Sequence, residues 1–310
     1  MKTIMSCQIQ CVTVTRHPHL QRLACITLDH SILIPSQDAQ AELMMIANCV
    51  RAVVMDRAQG MVMLQWSGGE GEPDQKLLTT FCKRLAVAMG RILPETRNTD
   101  GRAMKPAPSI QISLDAESER SPVLRHFTNP ELDWPLHTDR VLHENPGDFL
   151  MVCKLEEQEG SGGAIRLLHL DDWDNHQRFV EAPWASAPVQ WKGDPQMAPA
   201  WLQPGLRKQR GIVAPVFDTH PVYGQTIRFS DERFRSPQSL HQQQFLSSLT
   251  YELKSVAART PTFDLPHGGI YIVNNHFVLH GRRGFQASAQ FRRRLLRICG
   301  DFNMQNSNFN

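Results

Sequence analysis

The chain has 310 residues, 41% hydrophobic and 21% charged, with a formal net charge of +2. This composition excludes bulk disorder and allows a large buried core. The near-neutral balance predicts neither a nucleic-acid nor a membrane-surface partner.

The seven cysteines are scattered and include no Cys-x-x-Cys pair, which argues against a disulfide framework and a thiolate zinc site. A reducing cytoplasm is the expected compartment. Residues 1–20 hold no apolar run followed by a small-residue cleavage site, so no signal peptide is expected. The apolar stretch 43–55 is interrupted by Asn48 and Arg51 and is too short to span a bilayer.

In chain order, residues 36–59 predict an amphipathic helix. Ser36 can cap it, Leu43, Ile46, Ala47, Val50 and Val54 share one face, and Gly60 can end it. Residues 61–66 predict a buried strand. A second helix is expected from Pro73 to about Leu93, with Leu77, Phe81, Leu85 and Met89 at helical spacing and Pro94 as its stop. Residues 95–108 are polar and predict a long loop, a candidate lid.

Beyond this loop the texture turns to β. Strands are expected at 109–114, 149–155, 164–170, 213–217, 226–229, 269–273 and 291–302. A short helix at 171–181 and a longer one at 238–258 interrupt them. Many short strands with irregular connections predict a mainly β fold with flanking helices around a jelly-roll or barrel core. The expected organisation is one domain over 1–310: an N-terminal portion to 108, the core at 109–303, an outside insertion at 182–211 and a frayed tail at 304–310.

One constellation carries chemistry. In Pro135-Leu136-His137-Thr138-Asp139, a strand would turn His137 and Asp139 to one face. With a later histidine, for which His280 is the candidate, they would form a two-His-one-carboxylate facial triad. Such a triad holds Fe(II) and leaves three positions open. A second His-x-Asp, His169-Leu170-Asp171, competes with it, although Asp171 and Asp172 precede a helical pattern where capping is the ordinary role. On the strand after His280, Arg293 and Arg297 would face one way with Leu295 between them, suited to carboxylates inside a barrel. The competing reading is a basic nucleic-acid patch. A zinc hydrolase could also use two His and an Asp, but would have no use for Arg293.

Longer segments carry a resemblance: Leu136-His137-Thr138-Asp139, the run from Gly162 to Trp173, Pro215-Val216-Phe217-Asp218, and Asn274-Asn275-His276-Phe277-Val278-Leu279-His280-Gly281-Arg282. With Arg292, Arg293 and Arg297 on the last strand, they resemble the carbon-starvation-induced glutarate hydroxylases. These belong to the clavaminate synthase-like Fe(II)/2-oxoglutarate-dependent dioxygenases. The resemblance implies a double-stranded β-helix, with Fe(II) on His137, Asp139 and His280, and 2-oxoglutarate and O2 as co-substrates. It implies Arg293 as the 2-oxoglutarate anchor, with Arg297 beside it toward co-substrate or substrate. His169 and Asp171 match a segment outside the metal site, and the family hints at a homo-oligomer.

The chain departs from the family in two places. Arg140, Val141 and Leu142 follow Asp139 where small or hydroxylated residues are usual. Cys299 stands where the glutarate hydroxylases carry a further arginine. Losing one cation argues against a dicarboxylate, whose second carboxylate would be left unpaired. The leading expectation is therefore hydroxylation of a free aliphatic amino acid, L-lysine first. Arg297 and Arg140 would line the substrate site and Asp231, with Glu232 as its alternative, would receive the ammonium group. Glutarate or another short dicarboxylate is the alternative. A non-catalytic jelly-roll sensor or scaffold is the remote one.

Overall fold

The computed structural model describes residues 12–34, 37–67, 73–97, 103–115, 130–158, 162–191, 212–231, 234–237, 239–288 and 290–302. The first described elements are an antiparallel pair, β1 (Val12–His17) and β2 (Leu20–Asp29). The apolar stripe Leu43, Ile46, Ala47, Val50 and Val54 is buried and lays α1 (Gln37–Met55) against β3 (Met61–Ser67). That helix is the crossover that lets β2 and β3 run parallel. Ser36, its expected cap, lies outside the described residues.

Asp74 caps α2 (Gln75–Met89) by accepting from the backbone N–H groups of Lys76 and Leu77. The helix stops at Gly90, short of Pro94, because β4 (Gly90–Ile92) takes up pairing with the last strand. The expected loop at 95–108 instead contains a small hairpin, β5 (Glu95–Arg97) with β6 (Ala103–Ala107). β7 (Ile110–Asp115), β8 (Trp134–His137), β9 (Phe149–Gln158) and β10 (Ile165–His169) follow.

Further along, the expected helix at 171–181 is a 3-10 turn at Leu170–Asp172 and the single-turn α3 (His176–Val180). The described part of the expected outside insertion, residues 182–191, ends in a wholly buried Trp191 on β11 (Val189–Trp191). This strand pairs with β12 (Ile212–Ala214) and β15 (Phe234–Ser236), while residues 192–211 and 303–310 lie outside the described residues. The expected strand 213–217 is divided, because β13 (Phe217–His220) pairs with β14 (Gly224–Ile227). Ser239 caps α4 (Leu240–Arg259), and β16 (Thr262–Phe263), β17 (Ile270–Asn274), β18 (Val278–Arg282) and β19 (Arg292–Phe302) complete the fold.

Two sheets dominate. The larger runs β1-β2-β3-β17-β9-β19-β4, with β7 also on β19; the smaller runs β16-β10-β18-β8. α1 and α2 pack on the larger sheet, and one cluster of buried apolar side chains extends from Leu23 to Phe302. This is the expected jelly-roll architecture. No helix among the described residues is long and apolar enough to cross a membrane.

Candidate active site

His137 and His280 face each other across the smaller sheet. They are directly paired in register between β8 and β18, so both rings leave the same face, with centroids 4.1 Å apart. Asp139 lies two residues past the end of β8. Its Oδ1 is 3.7 Å from Nε2 of His137 and 3.9 Å from Nε2 of His280. All three residues are buried, with donor atoms within 4.8 Å of one another. Nδ1 of His137 lies 2.8 Å from the carbonyl of Pro135. A carbonyl only accepts, so Nδ1 carries the proton and Nε2 presents a lone pair to the site. Trp134 stacks on the His137 ring at 4.8 Å.

Electrostatics prepare the same donors. Burial, with His137 and Arg297 nearby, lowers the His280 pKa to about 3, keeping the imidazole neutral. Burial alone would raise the Asp139 carboxyl, but Arg297, His280 and His137 together hold it down at about 2. Two imidazoles and one ionised carboxylate around one point suit Fe(II).

Behind the triad lies a buried chain of alternating charge. Arg297 Nη1 donates to Asp139 Oδ2 at 3.1 Å, and its Nη2 meets Glu95 Oε2 at 3.1 Å. Glu95 Oε1 lies 3.5 Å from Arg140 Nη1. Cys299 Sγ, two residues beyond Arg297 on β19, is 3.7 Å from Asp139 Oδ2. Arg140 has φ of 56°, a left-handed conformation uncommon for its residue type. Asn275 clamps the backbone just before it: Oδ1 accepts from the Asp139 N–H at 2.8 Å, and Nδ2 donates to the Asp139 carbonyl at 3.1 Å.

Comparison with known proteins gives this geometry a family. The CsiD family model matches residues 36–302. The chain belongs to the CsiD family. Glutarate 2-hydroxylase of Klebsiella pneumoniae (strain 342) is 26% identical over 249 residues, spanning 80% of this chain and 70% of the relative. Among solved structures, OrfP in complex with Fe and alpha-ketoglutaric acid aligns with TM-score 0.61 and 14% identity over 85% of this chain and 81% of that one. Asparagine oxygenase in complex with Fe(II), 2S,3S-3-hydroxyasparagine and succinate aligns with TM-score 0.56 and 16% identity, over 89% and 94%. These two share the fold. The CsiD-family chain is an Fe(II)/2-oxoglutarate-dependent oxygenase, and His137, Asp139 and His280 are the residues that fit its iron.

The other residues singled out in this CsiD-family sequence fall in different places. Arg293 is on the same strand face as Arg297, but its Nη2 donates to Glu157 Oε1 at 2.6 Å and to the Gly162 carbonyl at 2.5 Å. Its guanidinium also lies over the rings of Phe285 and Phe291. Arg140 approaches the triad through Glu95. Asp231, the expected ammonium receiver, pairs with Lys254 at 2.9 Å instead, and Glu232 lies outside the described residues. His169 and Asp171 are structural: the His169 ring accepts from the Asp171 N–H, and the Asp171 carboxylate pairs with Arg57 at 2.6 Å. The capping thus runs opposite to expectation, from His169 to the turn. Two site residues escaped the sequence reading. Asn275 was visible only inside a matching segment, and Glu95 only as the first residue of a polar stretch.

Proposed function

We propose that this enzyme hydroxylates a short dicarboxylate, with glutarate the leading substrate and 2-oxoglutarate the co-substrate. The observation that carries the reading is the charge beside the triad. Arg297 and Arg140 outnumber Glu95 once Asp139 is committed to a metal, so the site favours an incoming carboxylate over an ammonium. The glutarate hydroxylase relatives support the same substrate. The lysine reading loses its footing because Asp231 is taken by Lys254.

His137, Asp139 and His280 would hold Fe(II), which when bound supplies the redox chemistry that couples decarboxylation of 2-oxoglutarate to C–H hydroxylation. The protein does the rest. Arg297 occupies Asp139 Oδ2 and so directs Oδ1 toward the imidazoles. Trp134 fixes the His137 ring plane and screens it from water. Arg297 contacts the triad residue Asp139 itself, whereas Arg293 pairs with Glu157, so Arg297 is the guanidinium we assign to carboxylate binding beside the triad.

The test is succinate release by the purified protein with Fe(II), ascorbate and 2-oxoglutarate across a panel of dicarboxylates and amino acids. Stimulation by glutarate is expected. Stimulation by L-lysine with none by any dicarboxylate would overturn the reading.

A further inference from the structure

Glu95 is an unusual neighbour for a site that receives carboxylates. It is 5% exposed, and its Oε1 has no hydrogen-bond partner among the described residues. The side edge of the Arg297 guanidinium, formed by Nε and Nη2, is the edge that grips a carboxylate with two parallel hydrogen bonds. Here Nη2 is held by Glu95, while Nε is buried without a hydrogen-bond partner among the described residues. Nε of Arg140 is in the same condition, while its Nη1 donates to the Pro94 carbonyl at 3.4 Å and reaches Glu95 only at 3.5 Å. The two arginines therefore present more donor capacity than Glu95 uses.

Glu95 also sits where it can leave. The chain is anchored just before it, where the Leu93 N–H donates to the Cys299 carbonyl at 2.9 Å. Just after, β5 pairs only with β6 among the described residues, in a two-stranded sheet apart from both large ones. Exchanging one buried carboxylate for another leaves the local charge unchanged and exposes no arginine to an unpaired state.

We propose that Arg297, through its Nε/Nη2 edge, and Arg140 form a carboxylate subsite whose built-in occupant is Glu95, displaced when a dicarboxylate ligand binds. Glu95 is then a specificity-determining residue. It keeps the two arginines paired in the empty site and sets the threshold a ligand carboxylate must exceed. The subsite's ligand is a dicarboxylate, either the distal end of 2-oxoglutarate or that of the substrate. The proposal deepens the dicarboxylate reading and rests on it for the ligand's chemistry.

The test measures binding without turnover. Calorimetry on the Mn(II)-loaded protein compares wild type with Glu95→Gln in two arms, 2-oxoglutarate and glutarate. Removing the competing charge should tighten binding about tenfold in at least one arm. A gain with 2-oxoglutarate alone assigns the subsite to the co-substrate, and a gain with glutarate alone assigns it to the substrate. Hydrogen exchange on the wild-type protein supplies a readout that does not depend on the variant folding. Ligand should speed exchange in the peptide 93–97 as Glu95 is released, whereas binding without displacement should slow it.

Unchanged or weaker binding of both dicarboxylates to Glu95→Gln, with slower exchange at 93–97, overturns the proposal. Weaker binding of L-lysine to Glu95→Gln, with no gain for either dicarboxylate, overturns it too, because Glu95 would then be an ammonium receiver. The two readings fail separately. If glutarate is not turned over but 2-oxoglutarate shows the gain, the subsite stands and the glutarate assignment falls. If glutarate is turned over and neither arm shifts, the reverse holds.

Discussion

Asp139 divides its two oxygens between two tasks: Oδ2 accepts from Arg297, and Oδ1 faces the two imidazoles. The backbone that aims them is held by Asn275, which bonds both the N–H and the carbonyl of Asp139. Orientation of a metal ligand by such a partner is worth about 10–100-fold in affinity. Asn275→Ala should therefore weaken Fe(II) binding by about that factor, measured by metal titration, in a protein that remains folded. His137→Ala removes one of the three groups proposed to hold Fe(II), and 2-oxoglutarate-dependent succinate release should disappear. The triad was readable at this scale because His-x-Asp and a distant His carry their chemistry in their names. Asn275 was not, because an Asn that serves the backbone 136 residues away looks like any loop Asn.

Two elements decide how the triad closes. β18 and β8 come close at Gly281, where an added Cβ would lie 2.7 Å from the Trp134 carbonyl oxygen. Gly281→Ala must push β8 outward and carry His137 away from His280. Fe(II) affinity should fall at least about tenfold, and the unfolding midpoint should drop, since overpacking a tight contact costs about 1–3 kcal/mol. The 3-10 turn at Leu170–Asp172 behaves differently with pH. Burial, with Arg22 nearby, lowers the pKa of its capping His169 from 6.5 to about 4. The unfolded chain therefore takes up that proton first as pH falls. The stabilisation is complete above pH 6.5 and is lost progressively toward pH 4, by roughly 3 kcal/mol at most. Thermal unfolding across that range should show it, and His169→Asn, which keeps an acceptor for the turn, should flatten the slope. The hydrophobic periods of α1, α2 and β19 announced these elements well. The end of α2 did not follow from period, because tertiary pairing of β4 with β19 claimed residues that a helix could have kept.

Across the whole molecule, the site is where the two sheets are tied by charge. The smaller sheet carries the histidines on β8 and β18, and the larger sends Arg297 from β19 to Asp139 and Glu95. Arg297→Met would leave two buried carboxylates without that partner. Breaking such a pair from one side costs about 3–5 kcal/mol, so the metal-free protein should melt at a markedly lower temperature. Adding Glu95→Gln should recover part of the loss, and calorimetry of the double-mutant cycle would measure the coupling.

The β-rich core, the flanking helices and the candidate metal cluster of His137, Asp139 and His280 followed from local pattern and residue chemistry. Period and ligand type are properties of short stretches, and a one-dimensional chain displays them. Partnership is not displayed in that way. Only the folded chain decided that Arg293 pairs with Glu157, that Lys254 takes Asp231, and that Glu95 inserts between Arg297 and Arg140. Each is a contest between charges far apart in sequence, and its outcome depends on which carboxylate the backbone delivers to which guanidinium. That placement leaves two guanidiniums around Glu95 beside the triad, the charge on which the dicarboxylate proposal rests.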